Sequence, residues 1–184
     1  MASTRFELDK SHTLIGFTAK HLAVATVRGR FDEFEGWLTL DLENPTDAAG
    51  EVTVAVASIT SGTAGRDEHL RSGDFFLADE HPQIKFIVRK VEPAGGNAYQ
   101  VTGDLTIRGV TKPVTLNATF EGETANPWGP GRRIGISASG QLNRTDFGLN
   151  WNGLAGAIPI ASHNIKLEIE AELVESVAAD TAAQ

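Results

Sequence analysis

The sequence predicts an all-β protein of antiparallel strands, either closed into a barrel or folded as a two-sheet sandwich. Three observations carry this. Apolar and polar residues alternate with period two over most of the chain. Glycine and proline clusters separate the alternating segments at hairpin spacing. Only one stretch, residues 66–76, breaks the pattern with a dense run of charges.

The segments follow in order. Residues 12–21 put Ile15, Phe17, Ala19 and His21 on one face. In residues 34–43, Phe34, Leu38, Leu40 and Leu42 oppose Glu35, Thr39, Asp41 and Glu43. Weaker alternation covers 51–60, 84–91 and 132–143. Tyr99, Val101, Leu105 and Ile107 define the dry face of the next clear segment, and Val114, Leu116, Ala118 and Phe120 that of its successor. Residues 164–173 alternate most strictly: Ile165, Leu167, Ile169, Ala171 and Leu173 oppose Lys166, Glu168, Glu170 and Glu172. That makes about eight strands. EPAGGN (92–97) and RGVTKP (108–113) read as hairpin connections, and NPWGPG (126–131) as a longer loop. Residues 175–184 are small and polar and read as a loose tail after one domain spanning 1–174.

Each strand has one dry face, and those faces must turn toward each other. Eight strands is the size at which a barrel is either filled by side chains or holds one small ligand. The dry faces carry many small residues, among them Ala19, Gly36, Gly103, Ala118, Ala138, Gly140 and Ala171. This favours a cavity. The competing account has small residues facing each other across a flattened sandwich.

Composition narrows function. The 184 residues carry a net charge of −8 and no basic stripe, which argues against nucleic acid and against an anionic membrane surface. There is no cysteine, so disulfides and thiolate metal sites are excluded. MASTRFELDK has no signal-peptide core, and no apolar run approaches the ~18 residues of a membrane span. On this reading the protein is cytoplasmic.

Residues 66–76, RDEHLRSGDFF, suit one to two turns of helix, with Leu70, Phe75 and Phe76 turned to the interior. A metal site would need converging ligands. His69 and His81 stand near Asp67, Asp74 and Asp79, but no metal-ligand spacing appears, so no metal is expected. A hydrolase would need an inward carboxylate of raised pKa. The acids on the strands fall on the wet face, and no GxSxG elbow is present. Asp146 is the one acid flanked by aromatics and stays a candidate, although a structural ion pair with Arg144 or Arg71 is the favoured account of it. His12, His81 and His163 suit the surface, whereas His21 continues a dry face.

Four blocks carry a family resemblance: GFTAKHLAVATVRGRFDEFEGWLTLD, SIT…RDEHLRSGDFFLADEHPQIKF, GDLTIRGVTKPVTL and RTDFGLNW. In this order they resemble the YceI-like, or polyisoprenoid-binding, family over about residues 4–174. The resemblance implies an extended, lipocalin-like eight-stranded antiparallel barrel with one or two short helices. It implies a long-chain isoprenoid lipid, of prenyl phosphate or quinone type, in the bore. It implies no catalytic residues, no cofactor and no integral membrane segment, and it makes a homodimer plausible. Residues 66–76 become a plug across the barrel, their charges outside. Many members are exported behind a signal peptide, which this sequence lacks. Strands of ten residues at ~3.3 Å, tilted, leave a bore on the order of 25 Å.

The expected ligand contacts are therefore Phe17, Phe31, Phe34, Leu70, Phe76, Phe86, Leu105, Phe147 and Trp151, with His21, Arg66 and His69 at the polar head. Two other classes stay open: an enzyme using Asp146 or the Asp67–His69 region on a small hydrophobic or sugar substrate, and a filled barrel that binds another protein.

Overall fold

The computed structural model describes residues 3–177, and nearly every alternating segment joins one closed sheet. Its strands are β1 (Thr4–Leu8), β2 (Leu14–His21), β3 (Ala25–Phe31), β4 (Phe34–Leu40), β5 (Ala49–Ala55), β6 (Ile59–Thr60), β7 (Gln83–Gly95), β8 (Ala98–Ile107), β9 (Val110–Ala125), β10 (Arg132–Asn143) and β13 (Ala161–Glu175). A separate hairpin is formed by β11 (Leu154–Ala155) and β12 (Ile158–Pro159). A single α-helix, α1 (Ala64–Arg71), occurs among the described residues.

Eleven strands make eight staves, because three staves are broken. Both β1 and β2 pair with β13, through Leu8↔Leu173 and Phe17↔Leu167. Beside them run β4 and β3, and beside those run β5 and β6. The staves β7, β8, β9, β10 and β13 complete the ring, all antiparallel. The ladder crosses the break between β3 and β4 through Asp32 N–H to the Ser58 carbonyl (3.2 Å) and Ala55 N–H to the Glu33 carbonyl (2.9 Å). The sequence reading finds one segment on every stave. It misses β1, which offers only Phe6 and Leu8 inward, and β3, whose dry face is interrupted by Gly29.

Local chemistry sets the turns. Arg108 and Gly109 both have positive φ (49° and 73°), and Ile107 faces Val110. This is the primed two-residue turn whose twist matches a hairpin, and glycine takes its second position without steric cost. The expected segment 34–43 stops at Leu40, where Asp41 accepts the Glu43 N–H (3.0 Å) and turns the chain. The expected domain limit at 174 falls one residue short of the end of β13, and of the expected tail, residues 178–184 lie outside the described residues.

Apolar packing divides between the two ends. At one end Phe6, Leu40, Ile134 and Leu173 form a tight cluster, with Phe6 fully buried. At the other, Phe31, Phe34, Val54, Ile59, Phe75 and Phe147 belong to a larger one. Phe34 is 6% exposed and packs in this core. Truncating a buried Phe to Ala typically costs about 3–5 kcal/mol, so each end is a substantial anchor.

An ion-pair cluster ties the turn between β1 and β2 to β10 and β13. Arg133 bonds Asp9 at 2.7 Å and also Glu172, while His12 Nδ1 lies 3.1 Å from Asp9. The Arg133 hydrogen bond is the main reason Asp9 is held far below the usual carboxylate value of 3.8. Because the folded-state pKa is depressed, the pair stabilises the fold above pH 3.8 and loses its effect as pH falls below that value. The Asp9→Asn variant should lose roughly 1–3 kcal/mol at pH 7. Its deficit against the parent, measured by denaturant unfolding, should shrink as pH falls through 4 toward 2; a deficit independent of pH would show that the charge of Asp9 is immaterial.

Candidate ligand-binding cavity

Between the two apolar clusters the barrel is hollow. A cavity of about 610 Å³ runs along it, walled mainly by the inward residues of the staves. Val88, Val101, Ala138, Ile165, Leu167 and Ile169 also line it, although they are not among the expected ligand contacts. Strict alternation in residues 164–173 is the signal that could have found the last three.

Small residues make the room in a specific way. A β-carbon on Gly29 would lie 2.3 Å from the Phe17 ring, and one on Gly103 would lie 2.4 Å from the Phe86 ring. Gly140 takes the Leu116 side chain in the same manner. Each glycine is thus a seat for a large side chain from the adjacent stave, which lies flat against the wall. The small residues do not face each other across a flattened sandwich; they let bulky groups lie down beside an open bore.

The charged stretch resolves into fastenings. Asp67 is buried and accepts from the Ser61 N–H (2.8 Å) and the Ser61 hydroxyl. Arg66 donates to the Ser61 hydroxyl and carbonyl (2.7 and 2.6 Å). Arg71 donates to the Ala57 and Ile59 carbonyls (2.9 and 3.0 Å), which holds α1 against β6. The expectation that these charges stay outside is corrected here: Asp67 and Arg71 turn toward the backbone because the plug must be tied to the wall. Leu70, Phe75 and Phe76 border the cavity. His69 is paired to Asp74 (2.7 Å) and stands edge-on to Phe75 and Trp151, 5.1 and 4.7 Å between ring centres.

Of the twelve expected contacts, Phe17, His21, Phe31, Arg66, His69, Leu70, Phe76, Phe86, Leu105, Phe147 and Trp151 line the cavity. Phe34 does not: it packs within the core beside Phe31 and Val54. Asp146 is exposed and off the cavity wall. It forms no pair with Arg144 or Arg71, since both guanidinium groups donate to backbone carbonyls. Asp9, His12 and Glu172 do converge, but the guanidinium of Arg133 already sits against both carboxylates.

Sequence reasoning missed Arg144. It opens the 3₁₀ turn Arg144–Phe147, which begins where Asn143 accepts the Thr145 N–H (3.0 Å). The side chain is only 5% exposed and lines the cavity. Its Nε donates to the Ser162 carbonyl (2.9 Å) and its Nη1 to the carbonyls of Leu149 and Trp151 (2.9 Å for the latter). The Phe75 ring lies 5.7 Å away. Burial pushes its pKa down from the usual guanidinium value. Its Nη2 has no hydrogen-bond partner. A buried donor left unmade costs about 1–3 kcal/mol, more when charged. Asp146, two residues on, disguised the residue, because nearby opposite charges in sequence read as a pair.

The model of the YceI-like domain matches residues 6–173. The chain belongs to the YceI-like family. A UPF0312 protein of Photorhabdus laumondii is 42% identical over 146 residues, covering 79% of this chain and 75% of the relative. The crystal structure of Burkholderia cenocepacia BcnA superposes with a TM-score of 0.80 at 23% identity, covering 90% of this chain and 98% of the other. A polyisoprenoid binding domain from Saccharophagus degradans superposes at 0.66 with 14% identity, covering 93% and 98%. At these identities the two structures establish the shared YceI-like barrel and nothing finer.

Gly29 offers a direct check on the cavity. In Gly29→Val the seat of the Phe17 ring is filled and the ring must swing into the bore, while valine itself suits a strand. The variant should stay folded and take up a fluorescent apolar probe at least about tenfold more weakly, ~1.4 kcal/mol. Unchanged uptake in a titration would show that Phe17 does not border the usable space.

Proposed function

We propose that the protein binds, and stores or carries, a long-chain isoprenoid lipid in the bore of the barrel, without transforming it. The observation that carries this is the 610 Å³ cavity with its predominantly apolar wall. Its volume lies in the range of ligand sites, roughly 300–1,000 Å³. Each methylene buried there contributes ~0.8 kcal/mol, so a chain of several isoprene units gains affinity with little help from polar groups. Ordering of the chain offsets part of that gain. The resemblance in fold to a domain described as polyisoprenoid binding supports the choice of lipid class.

The disposition of the acids supports binding over catalysis. Asp67 is committed to Ser61, His69 to Asp74, and Asp146 stands off the wall. No nucleophile and base are brought together at the bore by these residues. The open volume counts against a barrel filled by its own side chains.

Geranylgeraniol, titrated while Trp fluorescence is followed, should saturate one site per chain with a dissociation constant on the order of micromolar or tighter. The lipid should be recovered chemically unchanged. Phe17→Asp and Trp151→Glu each place a charge on the wall and should weaken binding at least about a hundredfold, ~2.8 kcal/mol, while circular dichroism still reports a folded barrel. Absence of saturable binding in the parent protein, or full binding in both variants, would overturn the reading.

A further inference from the structure

At the α1 end of the cavity, Arg66, His69 and Ser162 are matched to protein partners, the exposed His21 ring has none among the described residues, and the buried Arg144 is matched only in part. Arg66 is spent on Ser61 and Thr63. His69 is spent on Asp74. The Ser162 hydroxyl donates to the Asn164 carbonyl and accepts the Lys20 N–H. Arg144 has five N–H donors, and its Nε and Nη1 are used by three backbone carbonyls. Its Nη2 is buried without a partner, although the residue forms part of the cavity wall. No carboxylate of the described residues forms an ion pair with it. Three of the five N–H donors are thus met, by neutral carbonyls, and no carboxylate of the described residues balances the charge.

We propose that the guanidinium of Arg144 anchors an anionic oxygen head group, a phosphate or carboxylate at the end of the apolar chain. The inference rests on the lipid-carrier reading and deepens it. A neutral oxygen would complete the hydrogen bonds. An anionic oxygen does that and also supplies the missing counter-charge, through a bond shorter and about twice as strong as a neutral one. The head then lies inside the barrel, beside Phe75 and Trp151, and the chain extends along the bore toward the cluster around Phe6. Such a carrier selects acids and phosphates over alcohols of equal length, and it keeps the charged end from bulk water.

The test compares geranylgeranyl phosphate with geranylgeraniol, which share one chain. The parent protein should bind the phosphate at least tenfold more tightly. Arg144→Met should lose that preference, so that the affinities for the two lipids come within about threefold of each other. Arg144 also staples residues 149–151 to β13, so Arg144→Met can fail to fold; a measurement on the unaltered protein decides in that case. The ³¹P resonance of bound geranylgeranyl phosphate should resist broadening by an added gadolinium chelate. Equal affinity for the two lipids, a readily broadened ³¹P signal, or a preference lost in Arg66→Gln and kept in Arg144→Met would overturn the proposal while leaving the carrier reading intact. Failure of both lipids to bind would overturn the carrier reading itself.

Discussion

Everything in this structure depends on closure at β13. This strand meets β10 on one side, and on the other it meets β2 and then β1 as it runs toward its C-terminal end. Closure gives each long stave two hydrogen-bonded neighbours and removes the open edges that invite association with other chains. It also fixes which side chains turn inward, because a slip of one residue would exchange the Ile165–Leu173 row for the Lys and Glu row opposite. The wall is therefore held by backbone bonding and register, and its interior does not have to be packed solid.

A hollow barrel still needs apolar burial, and the molecule concentrates it at the ends. The cluster around Phe6 closes one end, and the larger cluster around Phe31, Phe75 and Phe147 closes the other. The stretch of charges at 66–76 belongs to this second closure. Its ion pairs and hydrogen bonds tie a short helix onto β6, so that Leu70 and Phe76 can face the bore. Between the ends, glycines accept rings from neighbouring staves, and the volume those rings would otherwise occupy stays open. Stability and emptiness are thus served by different parts of the same strands.

The alternation made most of this legible. Every stave carries at least one segment whose period-two pattern stands out, and the inward row of β13 can be read directly from NIKLEIEAEL. What escaped were the short halves of broken staves. In β3 the glycine that seats Phe17 also interrupts the apolar row, so the residue that helps make the cavity hides its strand. Phe34 was misplaced for a related reason: period-two reading says which side a residue faces, but not how far along the bore the open space extends. Arg144 escaped because its partners are carbonyls from distant positions, which no local spacing reveals, and because Asp146 two residues on offered a simpler partner that the 3₁₀ turn does not deliver.

The resulting picture is a closed barrel around a predominantly apolar bore. The proposed carrier differs from a filled barrel in holding a molecule in the bore, and from an enzyme in leaving that molecule unchanged. Native mass spectrometry of the protein purified from cells, paired with mass analysis of an organic extract, addresses this directly. The account predicts a mass increment corresponding to one lipid per chain and an isoprenoid in the extract. A bare chain mass, together with failure to take up added prenyl lipids, would contradict it.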